Sequence, residues 1–292
     1  MRFATVEYKG KTFVGSVDTS SGSVTPLVTR DGAPVTDLME VIRNHARFAS
    51  LYSVAGETIA LSALKLRAPL MPVRNIMCVG KNYREHAKEF TASGFDSSAS
   101  GAADAIPTAP IIFTKVPQSV IGPDEAILYP TGVSEQLDYE AELAVVIGKA
   151  GRGIALKSTM EHVWGYTIVN DVTARDLQAK HKQWFLGKSM DTFAPMGPWC
   201  VTADEVDLAS AGIRCWVNGE LRQDAKFADL IFDVPTLIAT ISAGITLMPG
   251  DIIATGTPAG VGIGFKPPRF LAKGDTISME VDGIGRLINT VR

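Results

Sequence analysis

The chain has 292 residues, of which 46% are hydrophobic and 20% charged, and its formal net charge is -3. This is the composition of an ordinary globular protein, with enough chain for one large domain or for one large and one small domain. The mild acidity and the lack of a long Lys/Arg run argue against a nucleic-acid partner, whose phosphates would need a basic face.

Nothing in the sequence has the pattern of a membrane-directed segment. The first ten residues interrupt their apolar side chains with charge, so they lack the apolar core of a signal peptide. No stretch approaches the ~20 apolar residues of a membrane-spanning helix. The three cysteines, Cys78, Cys200 and Cys215, are far apart in sequence and are expected to be buried thiols. We therefore expect a cytoplasmic protein with no membrane partner.

The first seventy residues predict a small α+β domain. Apolar and polar residues alternate around Lys9-Gly10, as in two strands joined by a tight turn. Asp37 precedes apolar residues at helical spacing and fits the N-cap of a helix. Residues 66–73 carry two prolines and no periodicity. We place the boundary there and predict domains over residues 1–70 and 71–292.

The larger domain is predicted to be rich in β-structure with few helices. Its strongly apolar runs are short and mostly end in Gly, Pro or Asp, at residues 76–79, 111–114, 143–147, 167–169 and 252–255. Asp282-Gly283 lies between two alternating segments and predicts a hairpin with a type I′ turn. Helices are predicted near residues 84–90, 173–182 and 234–242. This pattern favours an α+β fold over a regular βαβ repeat.

One segment, residues 92–105, is rich in Gly, Ser and Ala and has no periodicity. Such a composition buries too little apolar surface to hold a fixed structure alone. Two interpretations stay open for this segment: a surface insertion, or a lid over a site.

The segment after Asp138 carries the clearest chemical signal. On a strand, the period of two sends Glu140 and Glu142 to one face and the intervening apolar residues to the other. Neighbouring carboxylates repel each other, so they persist only on a solvated edge or around a cation. Asp171, after a later apolar run, is either a cap or turn residue or a third carboxylate completing a site for Mg²⁺ or Mn²⁺.

A helix is predicted directly after Asp171. Thr173 and Asp176 have the spacing of a capping box at its start. On this helix Asp171, Arg175 and Gln178 would share one face.

Two further positions have the residue types of a catalytic site. His86 and Glu89 are three residues apart on a short predicted helix, so the carboxylate can orient the imidazole as a general base; the alternative is an exposed charged helix. Lys188 stands among aromatic and small residues, which is unusual for a surface lysine and indicates a buried functional cation. The Gly-rich residues 255–262 are either a backbone anion site or only a turn.

Taken in chain order, these segments resemble the fumarylacetoacetate hydrolase family, in particular its acylpyruvase-like members of bacterial type. The resemblance runs from about Ile76 to the C-terminus, and the order and spacing of its motifs are specific. The motifs are Cys78-Val-Gly-Lys-Asn-Tyr-x-x-His86, Pro110-Ile-Ile-Phe-x-Lys115, Asp138-Tyr-Glu-Ala-Glu-Leu143, Asn170-Asp-Val-Thr-Ala-Arg-Asp-Leu-Gln178, Gly187-Lys-Ser189, Val217-Asn-Gly-Glu220, Pro249-Gly-Asp-Ile-Ile253 and Thr255-Gly-Thr-Pro-x-Gly-Val-Gly262.

The resemblance implies a mixed β-sandwich roll as catalytic domain, one divalent cation, Mg²⁺ or Mn²⁺, per chain, and a homodimer. The implied metal ligands are Glu140, Glu142 and Asp171. The implied catalytic groups are a water-activating pair on a lid helix and an active-site lysine: His86, Glu89 and Lys188. The implied substrate-binding groups are Tyr83, Arg175, Gln178 and Thr257. The small-residue insertion after Glu89 departs from shorter relatives.

The expected activity is hydrolysis of the carbon–carbon bond of an acylpyruvate, a 2,4-dioxo acid such as fumarylpyruvate or maleylpyruvate. A metal held by three carboxylates can chelate a 2-oxo acid, His86 can activate a water, and Lys188 can stabilise an oxyanion. The same site is equally suited to a tautomerase, an isomerase or an oxaloacetate decarboxylase, or to a hydrolase of 2,4-diketo-3-deoxy sugar acids. A non-catalytic metal-binding protein of the same fold is a further alternative.

Overall fold

The structure is a computed structural model that describes residues 1–96 and 105–292. Most of the predicted insertion or lid, residues 97–104, therefore lies outside the described residues. Strands dominate the described part of the chain and helices are few, which confirms the predicted α+β class.

The first part of the chain holds three longer strands, two short helices and three short strands. These are β1 Arg2–Tyr8, β2 Lys11–Asp18, β3 Ser23–Thr29, α1 Leu38–Arg43, α2 Phe48–Leu51, β4 Tyr52–Val54, β5 Ile59–Ala60 and β6 Lys65–Leu66. The described 3-10 helices of the whole chain are His45–Arg47, Leu61–Ala63, Pro117–Ser119, Leu156–His162, Ala203–Glu205, Phe227–Asp229 and Gly262–Gly264.

The rest of the chain adds the strands and helices that hold the candidate site. These are β7 Ile76–Gly80, α3 Arg84–Ser93, β8 Ile111–Lys115, β9 Val120–Ile121, β10 Ala126–Ile127, β11 Leu137–Asp138, β12 Ala141–Ile147, β13 Val163–Asn170, β14 Thr173–Ala174, α4 Arg175–His181, α5 Phe185–Lys188, β15 Ala194–Thr202, β16 Gly212–Val217, β17 Glu220–Lys226, α6 Val234–Ser242, β18 Ile252–Ala254, β19 Thr276–Val281 and β20 Gly285–Val291.

A large mixed sheet runs through the molecule. Its strand order is β4-β3-β2-β1-β15-β13-β12-β18-β7-β8, and β5, β6 and β9 pair with its strands. A second sheet has the order β10-β20-β19-β16-β17, and β11 pairs with β14. Because β1 pairs with β15, through Phe3 and Cys200, the N-terminal strands continue the sheet of the later part. The division of the chain at residue 70 stays a prediction.

Strand β12 is buried on both faces. Leu143 and Val145 lie in the core between the two sheets, with Met279 of β19. Ala144 and Val146 lie in a second core, which α1 also covers. A one-residue slip would exchange these two faces, so the packing fixes the register of β12 and with it the face that carries the acidic side chains.

Three predicted local features form, and one turn type is wrong. Lys9-Gly10 makes the two-residue turn between β1 and β2, with φ angles of 48° and 75°. The Asp37 side chain accepts a hydrogen bond from the Met39 N–H at 2.9 Å, as an N-cap does. The β19–β20 hairpin forms, but Val281 pairs with Gly285, so three residues separate the strands and the predicted two-residue type I′ turn is wrong.

The predicted capping box is also wrong. Thr173 and Ala174 form β14, whose pairing with β11 joins Asp138 to Thr173. Helix α4 begins only at Arg175, and its N-cap, Ala174, has no side-chain capping bond. Asp171 therefore precedes this helix instead of lying on its face, because a long-range strand pairing takes up the residues of the capping pattern.

Two predictions from composition can also be compared with the structure. All three cysteines are free and buried, as expected. In the described part of the chain no helix combines the length and the apolar character that crossing a membrane requires.

Candidate active site

Three carboxylates meet where β12 begins and β13 ends. Glu140 precedes β12, Glu142 lies within it, and Asp171 follows β13. The antiparallel pairing of Glu142 with Val169 places these segments side by side. Ligand oxygens of the three side chains lie within 4.8 Å of one another, and all three residues are buried. This burial excludes the solvated-edge interpretation of the two glutamates.

Three buried cations contact two of these carboxylates. Lys188 Nζ lies 2.8 Å from Glu140 Oε2 and 2.7 Å from Asp171 Oδ2. Lys115 Nζ lies 2.6 Å from the other oxygen of Asp171. Arg175 Nη1 lies 2.6 Å from Glu140 Oε1. Glu140 and Asp171 are thus each held by two cations.

Electrostatics separates the two glutamates. Burial alone raises the pKa of Glu140, but the positive charges of Lys188 and Arg175 outweigh it and hold the pKa well below the ordinary range. Burial, together with the negative charges of Asp171 and Glu140, raises the pKa of Glu142 well above its ordinary value. Glu142 is therefore the carboxylate whose ionised form the surrounding side chains stabilise least.

The donor set fits a divalent cation. Arg175 also binds Asp138, with Nε 2.9 Å from Oδ2. The cluster therefore contains one more buried carboxylate than buried cations: the carboxylates are Asp138, Glu140, Glu142 and Asp171, and the cations are Lys115, Arg175 and Lys188. Among the described residues no lysine, arginine or histidine forms an ion pair with Glu142, whose Oε2 accepts only the Gly256 N–H, at 2.9 Å. Hard cations such as Mg²⁺ and Mn²⁺ bind this kind of all-oxygen cluster.

Helix α3 brings the predicted His–Glu pair to the same place. His86 Nδ1 lies 3.2 Å from Glu89 Oε2, and the buried His86 ring stacks on Phe90. Glu89 also accepts the Gly260 N–H, at 3.1 Å. The burial of His86 excludes the exposed-helix interpretation. Since Nδ1 is engaged by Glu89, Nε2 is the nitrogen left to exchange a proton with a substrate.

A pocket joins these groups. Its apolar walls include Phe90, Phe113 and Trp184. Its polar lining comprises Lys81, His86, Glu140, Glu142, Arg175, Gln178, Lys188 and Thr257.

The structure brings three of the four predicted substrate-binding residues to this pocket. Nη2 of Arg175 is buried and has no hydrogen-bond partner among the residues that the structure describes, while Nη1 donates to Gln178 Oε1 at 3.1 Å. Thr257 accepts a hydrogen bond from Gln223 at 2.7 Å. Tyr83 is not part of this lining; it lies in the wall of a separate cavity beside Arg84 and Asp229. A substrate contact for Tyr83 stays a prediction.

Sequence reasoning missed the partners of the site. Lys115 has no role predicted from the sequence beyond its place in a motif, although a lysine at the end of the apolar run Ile111–Lys115 is itself a signal of a buried cation. Asp138 stands two residues before Glu140 and binds both Arg175 and the backbone N–H of Gly262, at 2.6 Å. No local pattern distinguishes Asp138 from a surface aspartate, because its partners are distant in sequence.

Comparison with known proteins agrees with this fold and site. Residues 75–292 match the family described as "Fumarylacetoacetate (FAA) hydrolase C-terminal". The solved structure titled "Fumarylacetoacetate hydrolase (EaFAH) from psychrophilic Exiguobacterium antarcticum" superposes with a TM-score of 0.83 at 39% identity, covering 100% of this chain and 99% of that one. The chain belongs to the fumarylacetoacetate hydrolase family, a family of enzymes.

Two curated relatives bear on the activity. Oxaloacetate tautomerase YisK of Bacillus subtilis (strain 168) is 50% identical over 234 residues, which are 80% of this chain and 74% of that protein. The mitochondrial oxaloacetate tautomerase FAHD2A of Homo sapiens is 44% identical over 234 residues, covering 79% and 70%. The expected acylpyruvate hydrolysis is therefore wrong as the principal activity, because relatives of this similarity are named for tautomerisation.

Proposed function

We propose that the protein is an oxaloacetate tautomerase, which interconverts the keto and enol forms of this 2-oxo dicarboxylate. The observation that carries the proposal is the 50% identity, over 80% of the chain, to a relative named for this activity. The tautomerase was one of the alternatives open at the level of sequence. The reaction moves one proton between C3 and the oxygen on C2; it consumes no water and breaks no carbon–carbon bond.

The buried Arg175 in the pocket lining supports an anionic substrate. Among the residues that the structure describes, Nη2 of Arg175 has no hydrogen-bond partner, and a substrate carboxylate would supply one. A dicarboxylate such as oxaloacetate suits this feature.

Glu140, Glu142 and Asp171 would hold one divalent cation, Mg²⁺ or Mn²⁺. When bound, it would supply Lewis-acid stabilisation of negative charge on a 2-oxo acid. The protein's own contribution is to hold the three carboxylates close together: Lys188 and Lys115 fix the two oxygens of Asp171, and Arg175 fixes Glu140.

The proton transfer would fall to His86 and Lys188. His86, oriented through Nδ1 by Glu89, can remove a proton from C3 or return it through Nε2. The Lys188 ammonium uses two of its three donor positions on Glu140 and Asp171, and the third can face the C2 oxygen. The apolar side chains of Phe90, Phe113 and Trp184 would limit the access of water to the reacting carbons.

The test follows the ultraviolet absorbance of freshly dissolved enol-oxaloacetate with purified protein and Mg²⁺ or Mn²⁺. We expect a faster decay than without protein, and malate dehydrogenase, which consumes the keto form, should oxidise NADH at a correspondingly higher rate. Pyruvate is measured in parallel with lactate dehydrogenase. An unchanged enol decay contradicts the proposal, and a decay matched by equal pyruvate formation indicates decarboxylation instead.

A further inference from the structure

A short segment, Gly260 to Gly264, connects the His–Glu pair with the charged network. The Gly260 N–H donates to the two carboxylate oxygens of Glu89, at 3.1 and 3.3 Å. The N–H groups of Gly262 and Ile263 donate to Asp138, at 2.6 and 3.1 Å. Because Asp138 holds Arg175, the position of this segment sets the position of Glu89 relative to the rest of the site.

Gly264 has no side chain, and the Glu89 carboxylate occupies the space where one would lie. A Cβ built on Gly264 would overlap Oε1 and Cδ of Glu89 and would lie 2.6 Å from its Cγ. These are the three atoms nearest to that Cβ, so the closest steric overlaps are all with the Glu89 side chain. Gly264 is not among the residues with a positive φ, so its backbone accepts an L side chain. The constraint at this position is therefore space for one flexible side chain.

We propose that Gly264 is a positioning residue for catalysis. By lacking a side chain, it allows Glu89 to bind the Gly260 N–H and His86 at the same time, which fixes the imidazole that exchanges the substrate proton. The inference rests on the proposed function. Phe90 of helix α3 also belongs to one buried apolar cluster with Val261 and Ile263, so the helix should stay docked when the Glu89 carboxylate is displaced.

A double-mutant cycle tests the proposal. Gly264→Ala should lower kcat for oxaloacetate tautomerisation at least tenfold, the order of effect of losing support for a general base, with KM within about twofold. In the Glu89→Ala background the same substitution should change kcat by less than about twofold, because no carboxylate is left to displace. Equal factors in the two backgrounds, or an unchanged kcat in Gly264→Ala alone, overturn the proposal.

The matched control is Gly244→Ala. A Cβ at Gly244 meets no atom within 4 Å, and this residue also lacks a positive φ. Adding this substitution should leave kcat and KM of the parent and of Glu89→Ala each unchanged. A loss equal to that of Gly264→Ala would show a general effect of glycine replacement and overturn the proposal.

A second measurement is independent of activity. The amide proton of Gly260, hydrogen-bonded to a carboxylate, should resonate downfield in the NMR spectrum of the parent protein and move upfield in both Glu89→Ala and Gly264→Ala. If the parent does not accelerate tautomerisation but the resonance moves, the proposed function fails and the positioning role stands. If the resonance stays in place in Gly264→Ala, the positioning role fails whatever the activity.

Discussion

Glu142 is the carboxylate of the cluster that forms no ion pair with any lysine, arginine or histidine in the described part of the chain. Replacing it with glutamine should weaken Mn²⁺ binding at least tenfold, because a neutral amide takes the place of one of three anionic oxygen ligands. The free energy of unfolding of the metal-free protein should stay within about 1 kcal/mol of the parent, since the change also removes repulsion from Asp171 and Glu140.

Calorimetric titration with Mn²⁺ and urea unfolding measure these two quantities. Gln178→Ala is the control for metal binding, because Gln178 lines the same pocket but is not one of the three predicted metal ligands. Equal Mn²⁺ affinity in Glu142→Gln and in the parent would contradict the role of Glu142 as a ligand.

Lys115 is one of the two buried cations that contact Asp171. Burial lowers the pKa of Lys115, and the nearby Asp171 opposes this. Lys115→Met should reduce the free energy of unfolding by about 3–5 kcal/mol, because removing one partner leaves a buried charge less compensated. Lys149→Met is the control: its 3.7 Å ion pair with Glu161 is exposed and should contribute less than about 1 kcal/mol. Similar small losses in both variants would show that Lys115 has no such role.

The sequence predicts positions in the site better than it predicts their partners. Glu140 and Glu142 share a face because strand alternation is local, and His86 reaches Glu89 because i, i+3 spacing on a helix is local. The pairing of Lys115 with Asp171 joins residues 56 positions apart in the chain. It depends on tertiary packing, which no short pattern encodes.

The approach of β13 to β15 requires a glycine. A Cβ on Gly165 would overlap the carbonyl oxygen of Val201, a backbone atom that the sheet holds in place. Gly165→Ala should therefore reduce the free energy of unfolding by about 1–3 kcal/mol, the usual effect of overpacking. Urea unfolding measures this loss of stability. Gly244→Ala is the control, because a Cβ there meets no atom within 4 Å and the residue lacks a positive φ. Gly153 is unsuited as a control because its φ is positive. A loss no larger than that of Gly244→Ala would contradict the steric argument.

Elements with a strong local signal were predictable, and elements made by distant pairing were not. The hairpin at Lys9-Gly10 and the helix Val234–Ser242 follow from their own residues. The pattern at Thr173 and Asp176 indicated a helix start, but β11 captures Thr173 in a strand pair. Local propensity is a weak preference that one long-range pairing can override.

At the scale of the whole molecule, the homodimer stays a prediction. Helix α5 exposes Phe185 and Leu186, 43% and 52% exposed, and the terminal strand β8 exposes Ile112, 38% exposed. An apolar surface of this kind favours burial against a second chain. Light scattering should give about twice the chain mass of 31.2 kDa. Leu186→Glu should lower it to that of one chain, while Ile245→Glu, at a site with 52% exposure, should not.

A parent protein with the mass of a single chain at every concentration would contradict the dimer. A dimer that persists in Leu186→Glu would place the interface elsewhere on the molecule. Because α5 also carries Lys188, dissociation would further be expected to loosen the position of that ammonium in the site.

Trp184 lies in the wall of the pocket, so its fluorescence can report on what binds there. Of the four tryptophans, Trp184 is the one in the pocket lining that the structure describes, while Trp199 donates to the Ile284 carbonyl at 2.7 Å and Trp216 lies under Arg286. Emission from Trp184 should therefore respond to whatever enters. Paramagnetic Mn²⁺ should quench it more than diamagnetic Mg²⁺, and a Trp184→Phe variant should lose this difference, so that ion arrival can be timed by stopped-flow fluorescence without any label.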